Sequence, residues 1–374
     1  MNNLTTFSDE IKTYINTHPY EVIEYNVYYD QLPHFREYGF KTVSKVSEKI
    51  FKVRREAQNP FVNSNNNKRY YTLDYYNKQT YGTKVAKIPI NAGFTCPNID
   101  GTKGFGGCTF CSIKGSGDFA GHPLEHLQEQ WDKGYKMMST KWPDAQYIAY
   151  FQAFTNTYAP LESLVEKYNY FINLDECCGI NIGTRADCLD EDIVKYLASI
   201  DKIKPITVEI GLQSMHESTA TIINRCHDLK EFEDGINLLK KYNINTVVHI
   251  INGLPKEDYQ MMLDTAKYVA NLGIDGIKIH LLYVTSDTQL VNQLNNGFLQ
   301  LMNEEDYIKL VCEQLTYLPS NMVIHRLTGD APFDHFIGPI WAKKKGNIIN
   351  KIDKYLEDNN MYQGMNYKKH STRK

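Results

Sequence analysis

The feature that most constrains this chain is an alternation of short apolar runs and amphipathic stretches, repeated six times between residues 84 and 315. The apolar runs are Lys84–Asn91, Gln146–Gln152, Gly179–Gly183, Ile206–Leu212, Asn245–Asn252 and Gly276–Tyr283. They are short and unbroken, as expected of strands buried on both faces. Between and after them, His122–Met138, Leu161–Phe171, Asp190–Ser199, Leu229–Tyr242, Lys256–Asn271 and Glu304–Leu315 carry apolar residues at helical spacing. Asp190 is placed to cap its helix, and Pro255 directly precedes another. Strands joined by helices pair in parallel, because parallel neighbours need a long crossover. Six such units curl into an α/β fold, a partial (β/α)6 TIM-like barrel. In that architecture functional side chains gather at the C-terminal ends of the strands.

Both flanks differ from this core. Residues 1–62 read as mostly helical, and Asn63-Ser64-Asn65-Asn66-Asn67 reads as a linker. Residues 41–56 place Val43, Val46, Ile50 and Val53 on one helical face. Six Lys and Arg stand against Glu48 and Glu56 on the others. That basic stripe fits a nucleic-acid-facing helix or an ordinary solvated one. After residue 318 come a strand candidate, Asn321–Arg326, a helix, Lys344–Glu357, and a basic tail with Lys368, Lys369, Arg373 and Lys374. The expected organisation is therefore a helical extension and linker over 1–67, the barrel over 68–318, and a C-terminal α/β extension over 319–374.

The first strand runs straight into the loop Gly-Phe-Thr-Cys-Pro-Asn-Ile-Asp-Gly-Thr-Lys-Gly-Phe-Gly-Gly-Cys-Thr-Phe-Cys-Ser, residues 93–112. Cys96, Cys108 and Cys111 fall there at C-x11-C-x2-C spacing, among glycines that permit tight turns. Three thiolates on such a loop point to a metal centre. Two metals compete. A structural zinc needs four closed ligands, and His122 is a candidate fourth. A four-iron cluster normally takes four thiolates, and three would leave one iron open to a substrate or cofactor. Cys177, Cys178, Cys188, Cys226 and Cys312 read as small buried hydrophobes. His249 and His280 read as core or pocket residues.

The bulk numbers exclude several classes. A net charge of −3 gives no global attraction to nucleic acid. No apolar run reaches the roughly 18 residues of a membrane span. The opening MNNLTTFSDE lacks a basic stretch followed by an apolar core, so a secretory signal is not expected. Eight cysteines without one fit a reducing cytoplasm.

The loop resembles that of the radical S-adenosylmethionine superfamily, in its YhcC/YtqA-type branch. Further matching pieces run in order between residues 68 and 364: Arg69–Leu73, Ala149–Pro160, Ile182–Leu189, Glu209–Ser214, His249–Pro255, Arg326–Pro332 and Gln363-Gly364. The pattern is also similar to the radical domain of the Elongator catalytic subunit family, which acts on wobble uridines of tRNA. The resemblance implies that Cys96, Cys108 and Cys111 hold a [4Fe–4S] cluster whose open iron binds S-adenosylmethionine. One-electron cleavage then gives a 5′-deoxyadenosyl radical. By the same resemblance Arg185 and Asp187, leaving the third strand, and Glu209 and Gln213, in the fourth, contact the cofactor. Arg185 suits its carboxylate, with an ion pair to Asp187 as the alternative. Glu209 must find a partner inside a barrel, either ribose hydroxyls or Arg185. Gly253 fits a turn under the adenine. Many members carry Gly-Gly-Glu after the second strand. This chain has Gln152-Ala153-Phe154-Thr155-Asn156 there, so Gln152, Thr155 and Asn156 become candidates for the amine. The implied substrate is a tRNA wobble uridine, with a flavodoxin or ferredoxin as electron donor. The alternatives are a radical enzyme for a small molecule or protein, and a non-enzymatic iron–sulfur or zinc sensor or scaffold.

Overall fold

A computed structural model describes residues 60–61, 67–330 and 334–368. The chain divides into two compact units, 1–63 and 64–374. The basic stretch 41–56, most of the asparagine run, Ala331-Pro332 and the end of the tail (Lys369, Arg373, Lys374) lie outside the described residues.

In the second unit the elements follow as α1 (Leu73–Tyr81), β1 (Val85–Ile90), α2 (Leu127–Lys141), β2 (Gln146–Phe151), α3 (Leu161–Ile172), β3 (Cys177–Thr184), α4 (Glu191–Asp201) and β4 (Ile206–Gln213). Then come α5 (Glu217–Ile222), α6 (Leu229–Lys241), β5 (Asn245–Asn252), α7 (Tyr259–Ala270) and β6 (Gly276–Leu281). The last are β7 (Val284–Thr285), α8 (Leu290–Asn295), α9 (Glu304–Tyr317), β8 (Val323–Arg326), β9 (Phe336–Gly338) and α10 (Lys345–Asp358). All six expected strands form. The strand candidate of the C-terminal flank, β8, joins the same sheet, whose order is β1-β2-β3-β4-β5-β6-β8 with every pairing parallel. The result is a curled half-barrel of seven strands. β7 and β9 form a separate antiparallel pair.

The helices begin where local chemistry lets them. Asp190 accepts from the Ile193 amide at 2.8 Å and caps α4. Asp228 and Glu231 form a reciprocal capping box at α6. Asp258 caps α7, so that helix starts three residues later than the apolar spacing after Pro255 suggests. Residues 122–126 form a turn before α2, not its first turn.

The hydrophobic core lies between the sheet and the helices. Ile180 and Ile182, then Val208 and Ile210, Val248 and Ile250, and Ile277 and Ile279 belong to one buried cluster with the helix faces. Alternate residues of the same strands point the other way. There the half-barrel is polar. Glu209 of β4 has no exposed side-chain surface. Its Oε1 accepts from Lys87 Nζ at 2.7 Å and Asn181 Nδ2 at 2.9 Å. Its Oε2 accepts from Tyr150 OH at 2.8 Å, His249 Nε2 at 3.0 Å and Lys278 Nζ. One carboxylate thus ties β1, β2, β3, β5 and β6 to β4. Burial opposes its ionisation, but Lys278, Lys87 and His249 outweigh that and hold its pKa well below the ordinary value. Arg185 is not among these partners.

Two outcomes follow from this cluster. Glu209→Ala leaves two ammonium groups without their counter-ion and should cost about 3–5 kcal/mol, measured as a lower denaturant midpoint at unchanged slope. Burial, and then Lys278, depress His249 to about 4. The unfolded chain takes up this proton from pH 6.5 downward and the folded chain only near 4, so the unfolded state binds more protons between them. Unfolding free energy measured by denaturant titration should therefore fall as pH drops from about 6.5 towards 4.

Candidate functional site

The cysteine loop leaves β1 and folds over the C-terminal ends of the strands. Its turns are set by its own backbone: the Ile99 amide donates to the Cys96 carbonyl at 2.8 Å, Gly107 to Asn98 at 2.9 Å and Cys111 to Cys108 at 3.0 Å. Gly106 and Gly107 take φ values of 77° and 73°, open to glycine without strain. At Gly104 a Cβ would stand 2.3 Å from Asn98 Oδ1 and 2.7 Å from Cys226 Sγ. Only glycine lets these segments approach.

Two buried arginines tie together the segments on which the loop rests, and Lys103 and Asn98 join the loop to them. Arg185, at the end of β3, donates from Nε and Nη2 to the two Asp187 oxygens at 3.0 and 2.9 Å. Its Nη1 and Nη2 donate to the carbonyls of Arg225 and Cys226 at 2.8 and 3.3 Å. The fork expected to meet a cofactor carboxylate is therefore occupied by Asp187, in a buried pair. Burial opposes ionisation of Asp187, yet the Arg185 bonds lower its pKa. Lys103 of the loop adds a 2.9 Å ion pair to Asp187. Arg225, 1% exposed, donates to the carbonyls of Leu212, Ser214 and His227 at 2.8, 2.6 and 3.0 Å. The neighbouring Asn224 side chain donates to Gly107 at 2.8 Å, and its carbonyl accepts from Asn98.

A cavity of about 260 Å³ lies under the loop. Cys96, Cys108 and Cys111 line it, with Gln152, Thr155, Arg185, Glu209 and Gln213. Of the other expected site residues, Asn156, Asp187 and Gly253 stand outside its lining. Asn156 is fully buried and donates to the Phe151 and Gly183 carbonyls at 3.2 and 2.7 Å, clamping β2 to β3. Gly253 ends β5 at φ 91°, its amide on Met262 Sδ at 3.0 Å. Gln152 donates to the Ser116 carbonyl at 2.8 Å. Gln213 adopts φ 62°, a turn conformation rare outside glycine. His122, the candidate fourth zinc ligand, does not line the cavity; its Nδ1 accepts from the Leu124 amide at 3.3 Å. Cys177 and Cys312 are fully buried in the core, as expected.

The donor set fits a four-iron cluster with three protein ligands. All three cysteines are free and face one cavity. Among the described residues no group of three His, Cys, Asp or Glu is gathered closely enough to hold a single metal ion; a four-iron cluster instead asks for thiolates spread over separate irons. Asn98 Nδ2 stands 3.5 Å from Cys108 Sγ, a hydrogen bond of the kind that tunes a cluster thiolate. Hydrogen bonding with Cys111 lowers Cys108 to about 7 against the cost of burial, with Arg185 adding to it. The same pairing and burial raise Cys111.

His280, read as a core or pocket residue, lines the cavity, but sequence reading missed the charged floor beside it: Lys278, Arg326 and Asp330, with Tyr150, also line it. A signal was present. Lys87 and Lys278 interrupt otherwise apolar strands, and a cation there needs a counter-ion.

A family model described as the Radical SAM superfamily matches residues 101–269, and one described as the Radical_SAM C-terminal domain matches residues 274–358. The uncharacterized protein YtqA of Bacillus subtilis is 49% identical over 306 residues, 82% of this chain and 95% of that protein. A tRNA uridine(34) acetyltransferase of Methanocaldococcus infernus is 24% identical over 185 residues, 48% of this chain and 33% of that protein. The solved structure of Methanocaldococcus infernus Elp3 with an N-terminal deletion shares the fold at a TM-score of 0.57 and 17% identity, over 75% of this chain and 64% of that one. With its cysteine loop over a parallel half-barrel and its near full-length match to YtqA, the chain belongs to the radical S-adenosylmethionine superfamily.

Proposed function

We propose that this protein modifies a wobble uridine of tRNA at a carbon atom, using a radical generated in the cavity under the cysteine loop. Superfamily members use a [4Fe–4S] cluster and S-adenosylmethionine. When bound, that pair supplies one-electron cleavage to a 5′-deoxyadenosyl radical that removes a hydrogen atom from substrate. The observation that carries the reading is the placement of Cys96, Cys108 and Cys111 on one cavity lined by strand-end polar groups. The tRNA assignment draws its support from the distant similarity to a tRNA uridine(34) acetyltransferase. Residues 41–56 add a local excess of four positive charges to it.

The chain's own residues have separate tasks in this reading. The three cysteines hold the cluster, and Asn98 donates to one of their sulfurs. Gln152 and Thr155 offer oxygens near the amine of the cofactor, in place of the Gly-Gly-Glu of many relatives. Gln213 and Glu209 face the same space. Arg185 with Asp187, and Asn156, act as positioning residues: they fix the loop and the strand ends. Roofed by the loop, the cavity limits the access of water to the reacting atoms. No helix among the described residues is long and apolar enough to cross a membrane, which agrees with a cytoplasmic enzyme reduced by flavodoxin or ferredoxin. In this reading the catalytic barrel runs over residues 68–318 and takes its seventh strand, β8, from 319–374, with 1–67 ahead of it.

Anaerobically purified protein should be brown and should form 5′-deoxyadenosine on addition of S-adenosylmethionine and a reductant. Replacing Cys96, Cys108 or Cys111 singly by Ala should abolish both properties, whereas Cys312→Ala in the core should keep them. A colourless protein holding one stoichiometric zinc would sink the reading. Binding to tRNA should weaken steeply with salt, because each neutralised phosphate releases counter-ions. Nucleoside mass spectrometry of tRNA from cells with and without the protein should differ at a uridine derivative. Unchanged nucleosides, or affinity flat with salt, would remove the tRNA assignment.

A further inference from the structure

The floor of the cavity carries more positive charge than its own carboxylates neutralise. Lys278 of β6 and Arg326 of β8 are register partners in adjacent parallel strands, on the polar face. Lys87 of β1 stands on the other side of Glu209. Against these three cations the floor holds two carboxylates, Glu209 and Asp330. Asp330 is divided between Arg326 Nη2 at 2.7 Å and the exposed Lys345 at 2.6 Å. Among the described residues this cluster is one negative charge short (three minus two), counting Lys87, which pairs with Glu209 but does not itself line the cavity. Lys278 registers the shortage. Burial lowers its pKa to about 7, and Lys87 and Arg326 push the same way, although it touches Glu209. Beside it, His280 lines the cavity with its Nε2 buried and without a hydrogen-bond partner among the described residues. A buried polar atom left without a partner is costly, and the ring that carries it lines a space open to a ligand.

The neighbouring histidines do not supply the missing balance. Burial, followed by Arg326, His249 and Lys278, keeps the His280 pKa well below the ordinary value. The imidazole is then neutral and able to donate one N–H. A guanidinium, an ammonium and an imidazole N–H meeting in a low-dielectric recess match a planar anionic group. One missing charge matches a carboxylate; a phosphate monoester would bring nearly two.

We propose that Lys278, Arg326 and His280 form a binding site for a carboxylate of the substrate at the inner end of the cavity. This rests on the reading of the cavity as the reaction chamber. The site anchors the far end of the substrate by its charge, so that the atom to be attacked points back towards the cysteine loop. A neutral analogue would leave the cations desolvated and unpaired, so the floor also discriminates against it.

Two measurements on the full chain, reconstituted anaerobically, test this separately from the tRNA assignment. The first is the thermal midpoint in sodium acetate against sodium chloride at matched ionic strength. Acetate should raise the midpoint of the wild type more than that of Arg326→Gln or Lys278→Met. Equal shifts in all three proteins overturn the site, whatever the substrate is. The second uses tRNA from cells lacking the protein, either untreated or with its carboxylates amidated by carbodiimide and methylamine. Untreated tRNA should be turned over and amidated tRNA should not. Arg326→Gln should raise the KM for untreated tRNA roughly tenfold or more, with Arg326→Lys recovering part of the loss. Equal turnover of both pools overturns the proposal. So does a loss of S-adenosylmethionine binding in Arg326→Gln that matches the loss for tRNA, since the site would then belong to the cofactor. If the wild type turns over neither pool, the tRNA reading falls, and the acetate measurement alone decides the anion site.

Discussion

The half-barrel depends on one buried carboxylate. Parallel strands in most barrels pack an apolar interior. Here the interior opens on a cavity, and Glu209 takes the place of that packing. It receives hydrogen bonds from the five strands around β4 at distances up to 3.0 Å. A buried ion pair does not guarantee net stability, because desolvation offsets most of the attraction. Its effect here is geometric. Five donors converging on two oxygens fix which residue of each strand faces inward, so the strand ends that line the cavity cannot slip in register without breaking several bonds together. The polar interior is tolerated because the apolar core lies elsewhere, between the outer face of the sheet and the helices.

A second polar centre, at the mouth, solves a different problem. A cluster loop rich in glycine costs conformational entropy when ordered. Arg185, Lys103 and Arg225 offset that cost by spending their donors on carbonyls and on the Asp187 carboxylate, in segments that converge there. Both centres rely on buried arginine or lysine held by fixed partners. They differ in balance: the charged groups of the mouth are largely paired with one another and with carbonyls, whereas around the floor cations outnumber carboxylates. That asymmetry gives the cavity a direction, with the radical source at one end and an anion-seeking surface at the other.

Much of the molecule was legible before any coordinates. The six strands were visible because apolar periodicity is written within a few residues. The three cysteines were legible from their spacing, and they stand on one cavity whose lining does not include His122. Helix starts were less certain. At α7 and α2 apolar spacing continued past the true beginning, and the cap, Asp258 for α7, decided the boundary. The seventh strand was recognised as a strand but not as a member of the sheet, since its pairing to β6 spans α8 and α9.

The sequence by itself determined the class of fold, the spacing of the three cysteines and the end of the barrel at which they gather. Each is carried by local spacing that survives without knowledge of distant neighbours. Only the tertiary structure decided what each polar side chain does. Arg185 proved to be a latch and not a free fork, and Asn156 a clamp between strands. Glu209 found its partners 28 to 122 residues away. The reason is physical: a buried charge is defined by whatever closes around it, and in a parallel half-barrel those groups come from every strand at once.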